Sequence, residues 1–166
     1  IASIEPIGNL GGMCVTVENS DGLYLTNDFI VTHNSCLVSW IILWAISTHE
    51  DTRGVVTANT ETQLRSKTWP EVTKWHRMFL GKDLFEVTAT SIFSSQKDHE
   101  KTWRIDAIPW SKENPEAFAG LHNQGKRILV IFDEASAILD EIWRVTEGAV
   151  TDANTEIIWC VFGNPT

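Results

Sequence analysis

The sequence predicts an α/β protein, a parallel sheet with flanking helices, preceded by a small all-β piece. Apolar runs at Gly54-Val55-Val56-Thr57-Ala58, at Ile128-Leu129-Val130-Ile131-Phe132 and from Glu156 to Phe162 read as buried strands. Helix-length segments separate them, and strands alternating with helices favour a doubly wound sheet. Before residue 35 the texture changes to short strand-like runs broken by Gly, Asn and Asp, with no Lys or Arg.

In that opening stretch, Ile1 to Ile7 alternates loosely until Gly8-Asn9-Leu10-Gly11-Gly12 breaks it. Cys14 to Val17 is a second strand candidate, Asn19-Ser20-Asp21-Gly22 a turn signal, and Leu23-Tyr24-Leu25 and Phe29-Ile30-Val31 complete the set. So short a segment cannot close a core alone and needs a partner. Ser35 to Ser47 then reads as a helix apolar nearly all round, which must be buried between layers. Thr60 with Gln63 has the spacing of a capping box. It opens a helix carrying Leu64, Val72, Trp75 and Phe79 and closed by Gly81. Phe85 to Phe93 and Trp103 to Ile108 are further strands. Asn114-Pro115 is a helix start with Pro at its first position, and a last helix runs from about Asp140 to Gly148. No internal repeat is visible.

Composition narrows the partners. The net charge of −9 argues against a basic, whole-surface nucleic-acid binder. Cys14, Cys36 and Cys160 are odd in number and widely spaced, which suits neither a disulfide framework nor a zinc site, so a reducing compartment is expected. No apolar run reaches membrane length and no signal peptide is visible. The opening on Ile1 and the stop at Thr166 after a strand-like run give the chain the look of a fragment.

The stretch CVTVENSDGLYLTNDFIVTHNS resembles the C-terminal end of an intein, a protein-splicing element of the Hint fold. The resemblance implies a boundary after residue 34, with 1–34 the intein tail and 35–166 a separate domain. Carried over, Asn34 is the terminal intein residue, His33 its penultimate histidine, and Ser35 the first residue of the downstream extein. The Asn34 side-chain amide would attack its own backbone carbonyl, close a succinimide and cut the bond to Ser35. That ring closure is intramolecular, so proximity supplies much of its rate. His33 can hydrogen-bond the attacked carbonyl and protonate the leaving amine, and the Ser35 hydroxyl can accept the upstream acyl chain as an ester. Cys14 and Thr32 occupy positions that assist branched-intermediate formation in one mechanistic class of such elements. Asp28 stands where a Gly is usual, and no His lies in the turn around Gly22. Taken alone, His33-Asn34 is an ordinary polar loop and Cys14 a small buried hydrophobe; it is their ordered series that carries the resemblance.

The run Ile128 to Phe132 ends in Asp133-Glu134, as the catalytic strand of P-loop NTPases does. By that likeness Asp133 would hold Mg²⁺ through its water shell and Glu134 would polarise the attacking water. Strand ends of this kind also arise by chance. A phosphate cradle G-x-x-x-x-G-K-[ST] is missing, yet the early apolar helix starts at Ser35. Splicing onto an upstream Gly-Lys would restore Gly-Lys-Ser, with Ser35 as the Mg²⁺-binding hydroxyl.

From Ser35 to Thr166 the chain resembles the ATPase domain of the large terminase subunit of tailed bacteriophages. The segments that carry this are VVTANTETQLRSKTWPEVTKWH, EAFAGLHNQGKRILVIFDEASAI and IIWCVFGNPT. The resemblance implies ATP and Mg²⁺ as cofactors, with Asn164 as γ-phosphate sensor and Gly163 allowing close backbone approach. It also implies double-stranded phage DNA as substrate, and partners in the portal, a small terminase subunit and copies of the same chain in a ring. The expected location is the host bacterial cytoplasm, transiently at the procapsid. No nuclease carboxylate cluster is apparent. Thr57, Asn59 and Gln63 match a segment facing DNA or nucleotide in related motors. Arg65, Lys67 and Lys74 are expected on a solvated helix face rather than on phosphates, and the eight tryptophans in packing rather than base stacking. As it stands, the isolated chain is expected to be inactive. The alternatives are a catalytically inactive nucleotide-fold binding module and another ATPase of the same group, such as a helicase.

Overall fold

The computed structural model describes residues 3–7, 12–16, 24–25, 31–32, 34–110, 121–135, 138, 140–149 and 151–163. In the opening segment, β1 (Ser3–Ile7) pairs antiparallel with β2 (Gly12–Thr16), and β3 (Tyr24–Leu25) with β4 (Val31–Thr32). The expected turn at residues 19–22 and the helix start at Asn114-Pro115 lie outside the described residues.

The remainder is built on one six-stranded sheet, whose strands in chain order are β5 (Arg53–Thr57), β6 (Phe85–Val87), β7 (Ser91–Ser94), β8 (Arg104–Ala107), β9 (Arg127–Phe132) and β10 (Glu156–Val161). Their spatial order is β10-β9-β5-β8-β7-β6. The first four in that order are parallel, β7 runs antiparallel to both its neighbours, and β6 returns to the direction of the first four. The sheet is therefore mixed, which corrects the expectation of a purely parallel one. The expected single strand from Phe85 to Phe93 is a hairpin instead. Thr88 reverses the chain: its N–H donates to the Ser91 carbonyl and its hydroxyl accepts from the Ser91 N–H. A Thr turn of this kind gives no Gly or Pro signal in the sequence.

Helix α1 (Asn34–Thr48) is apolar nearly all round, as predicted, and Val38, Ile42, Ala45 and Ile46 are fully buried. After β5, Thr60 caps the next helix by accepting the Gln63 N–H, so the predicted start holds. The helix then changes pitch. A short α2 (Glu61–Gln63) passes into a π-turn (Leu64–Thr68) and on into α3 (Trp69–Met78), whose cap is Phe79 rather than Gly81. Gly81 has φ −92°, not the left-handed value of a glycine cap. Helix α4 (Asp140–Ala149) lies where expected.

Side chains alternate across the sheet. Val56, Ile105, Leu129 and Ile131 face α1 and α3, while Val55, Ile128, Val130 and Phe132 form the opposite face with Ile142 of α4. Every residue of β9 is buried, because both faces are covered. Trp143 and Trp159 stack beside Phe132, so these tryptophans pack, as expected.

The last turn of α1 is tied to the strand starts. Arg127, opening β9, donates to the Ala45 carbonyl at 3.0 Å and to the Thr48 hydroxyl at 2.6 Å. The Thr52 hydroxyl, just before β5, donates to the same Ala45 carbonyl. α1 therefore runs antiparallel to the strands, and its N-terminus lies toward their C-terminal ends.

At the opposite end of the sheet Asp51 clips three loops. It contacts His99 Nδ1 at 2.7 Å, Thr102 Oγ1 at 3.0 Å and Lys126 Nζ at 3.3 Å. Burial works to raise the Asp51 pKa, but the hydrogen bonds from His99, Thr102 and Lys126 outweigh it and hold the carboxyl below its ordinary value. The ionised carboxylate therefore stabilises the fold fully above the ordinary carboxylate pKa, and that contribution disappears as pH falls through the lowered folded value. Asp51→Asn is expected to cost about 1 kcal/mol near neutrality, roughly 3 °C in Tm at this chain length. The gap from the natural chain should close as thermal melts are taken from pH 6 to pH 3. A gap independent of pH would refute the assignment.

Candidate functional site

Strand β9 delivers Asp133 and Glu134 to the C-terminal end of the sheet, where ligands bind in open α/β folds. Backbone bonds hold the strand end. The Asp133 N–H donates to the Thr57 carbonyl at 2.8 Å, Phe162 N–H to the Phe132 carbonyl at 2.8 Å, and Ala135 N–H to the Phe162 carbonyl at 2.6 Å. The ends of β5, β9 and β10 are thereby stitched around the acidic pair. Glu134 sits at φ +56°, in the left-handed region that costs a non-glycine residue free energy and recurs at functional sites.

The two carboxylates differ in environment. Asp133 is only 3% exposed and accepts from the Thr68 hydroxyl at 2.5 Å. Burial pushes its pKa up. The Thr68 bond, the Glu134 backbone N–H and the Lys67 charge act in the other direction, while the neighbouring Glu134 charge adds to the rise. Glu134 is half-exposed and lies 3.6 Å from Lys67 Nζ. The Thr57 hydroxyl, at the end of β5, is buried with no hydrogen-bond partner among the described residues, and by alternation it lies with Val55 on the face of the sheet away from Thr68. A carboxylate kept from water beside a second, half-exposed carboxylate makes a hard, oxygen-only donor set, which fits Mg²⁺.

Of the residues singled out from the sequence, Asp133 and Glu134 stand together at this end. Gly163 follows β10 and belongs to the same edge, and Asn34 and Ser35 form the first turn of α1 toward it. Cys14 lies on β2 opposite Glu5, and Thr32 on β4 opposite Tyr24. His33 and Asn164 lie outside the described residues. The Asn59 side chain accepts from Trp110 Nε1 at 3.0 Å, and Gln63 Nε2 is buried without a partner among the described residues. Arg65 pairs with Glu61 and Lys74 with Glu71 on the helix surface, as a solvated face predicts. A shallow groove of about 190 Å³ lies between Glu61, Leu64, Arg65, Thr90 and Pro109, but it does not include the acidic pair.

Sequence reasoning passed over Thr68 as part of the site. Its signal was present: Leu64, Thr68 and Val72 form one buried i, i+4 row, and the hydroxyl is the odd member of an apolar stripe.

This fold defines the chain as an α/β protein built on a mixed, mostly parallel six-stranded sheet with two acids at the C-terminal end of β9. Among solved structures it is similar to the large terminase from a thermophilic bacteriophage. In one crystal form the TM-score is 0.53 at 10% identity, over 76% of this chain and 30% of that one. The same terminase in complex with ADP gives 0.52 at 12% identity, over 74% and 29%. At such identity the likeness is one of fold, and the chain spans less than a third of that terminase's length. No protein-family model and no curated protein matches it.

Proposed function

We propose that residues 35–166 are part of the ATPase domain of a phage large-terminase-type DNA-packaging motor, and that residues 1–34 are the tail of an intein interrupting it. The carrying observation is the buried Asp133 beside a left-handed Glu134, at the end of the sheet toward which the N-terminus of α1 points. A phage large terminase of similar fold, solved in complex with ADP, supports nucleotide binding as the reading.

Topology supports a missing strand. β5 connects through α3 to β6, parallel to it and two strands beyond β8 on one side, with α3 on the α1 face. β9 connects through α4 to β10 on the other side, with α4 on the opposite face. Opposite directions over opposite faces are the same hand, the right-handed one. A strand leading into α1 and on to β5 keeps that hand only from the β10 side, beyond β10. There Ile157 is 36% exposed and Val161 52%, along an outer edge unpaired among the described residues. Splicing would join such a strand to Ser35.

In the joined protein, Asp133 and the Ser35 hydroxyl would hold Mg²⁺, which supplies charge neutralisation on the nucleotide phosphates. Glu134 would orient the water, Asn164 would sense the γ-phosphate, and Gly163 would leave room for it. Double-stranded phage DNA would be moved by a ring of such subunits, docked on the portal and fed by a small terminase subunit. Its working place would be the host bacterial cytoplasm, at the procapsid during packaging.

The direct test replaces residues 1–34 with the upstream extein segment read from the coding DNA. The joined protein is expected to hydrolyse ATP, with amide exchange slowed along β10, whereas the chain as it stands should do neither. Equal, background hydrolysis in both would favour a nucleotide-fold binding module instead.

A further inference from the structure

We propose that Thr68, which lies in the π-turn, is a positioning residue for Asp133; the proposal rests on the nucleotide-binding reading of this strand end. Positions 68 and 69 of an α-helix point about 100° apart, at the two edges of a buried stripe. Here the Trp69 N–H reaches back to the Leu64 carbonyl, a five-residue step that widens the turn. Thr68 and Trp69 then both face the sheet, 0% and 3% exposed.

Each makes one long-range polar bond. The Thr68 hydroxyl donates to Asp133 Oδ2 across 65 residues of sequence, and Trp69 Nε1 donates to the Thr88 carbonyl at 2.8 Å. The Trp69 bond pins the turn to the β6–β7 hairpin, and the Thr68 bond fixes the carboxylate rotation at the end of β9. The same turn sets Lys67 3.6 Å from Glu134, so adjacent side chains attend adjacent acids. π-Turns are rare, occur mostly as single turns within α-helices, and are frequent at functional sites. A hydrophobe of the same shape would pack at residue 68 equally well, so packing alone gives no reason for a hydroxyl there. What only the hydroxyl does is leave one carboxylate oxygen committed and aim the other.

The test uses three forms of the spliced protein: natural, Thr68→Val and Thr68→Ser. ADP binding is titrated against Mg²⁺ by fluorescence, with ATP hydrolysis measured alongside. Thr68→Val is expected to raise the half-saturating Mg²⁺ about tenfold, by the loss of an outer-shell partner, and Thr68→Ser to restore it. In the chain as it stands, Tm values of Thr68→Val, Asp133→Ala and the double variant should be non-additive. An unmoved Mg²⁺ requirement in a natural protein that binds and hydrolyses overturns this assignment alone. A natural spliced protein that neither binds ADP nor hydrolyses ATP overturns it together with the reading beneath it.

Discussion

Mixing this chain with the matching N-terminal intein fragment and its upstream extein should yield a product that has lost the mass of residues 1–34 and gained that of the upstream extein, and Asn34→Ala should abolish that change. The cut depends on the Asn34 side-chain amide attacking its own carbonyl, and alanine has no such nucleophile, so no slower version of the same route remains. His33→Ala should leave slow cleavage, reduced about a hundredfold or more by loss of general-acid help. Ser35→Ala separates cleavage from splicing: asparagine cyclisation can still release the tail, but the upstream chain has no hydroxyl to receive it. Intact-protein mass spectrometry reads all three. The scissile bond lies in the first turn of α1, so the cut takes away only the helical bonds accepted by carbonyls of the departing tail and leaves all those further along. α1 should survive the release, and circular dichroism before and after is the check. Mass loss persisting in Asn34→Ala would end the intein reading.

In the spliced protein, Asp133→Asn should move activity and stability in opposite directions. ATP hydrolysis is expected to fall about a hundredfold, the scale for losing a group that orients bound metal. The fold should gain. Asp133 is 3% exposed, burial raises its pKa, and no full positive charge contacts its oxygens among the described residues. An unpaired buried carboxylate costs free energy that a neutral amide does not. Asparagine still accepts from Thr68 through Oδ1. A gain of about 1 kcal/mol, roughly 3 °C in Tm at this chain length, is expected at pH 8 in the absence of nucleotide. A Tm that falls instead would mean the carboxylate is a structural anchor, and the case for a phosphate-binding end would weaken accordingly.

Much of the architecture could be read from the residues because it depends on local pattern. The run Ile128 to Phe132 announces a strand buried on both faces, and Thr60 announces a helix start by three-residue spacing. The all-apolar α1 announces a helix between layers. The β6–β7 hairpin escaped because Thr88-Ala89-Thr90 turns on hydroxyl hydrogen bonds without Gly or Pro. Asp133 and Glu134 were found as a pair since they are adjacent in sequence. Their differing environments were not, because Thr68 and Lys67 come from a helix some 65 residues earlier.

By itself, then, the sequence determined the periodicities: which segments are strands, which are helices, and which acids end β9. These follow from interactions between near neighbours along the chain. Only the tertiary structure decided that the sheet is mixed, that a π-turn carries Thr68 to Asp133, and that Asp51 clips three loops at the far end. Those features depend on groups brought together by packing, where burial and hydrogen bonding set the energy and distance along the chain counts for nothing.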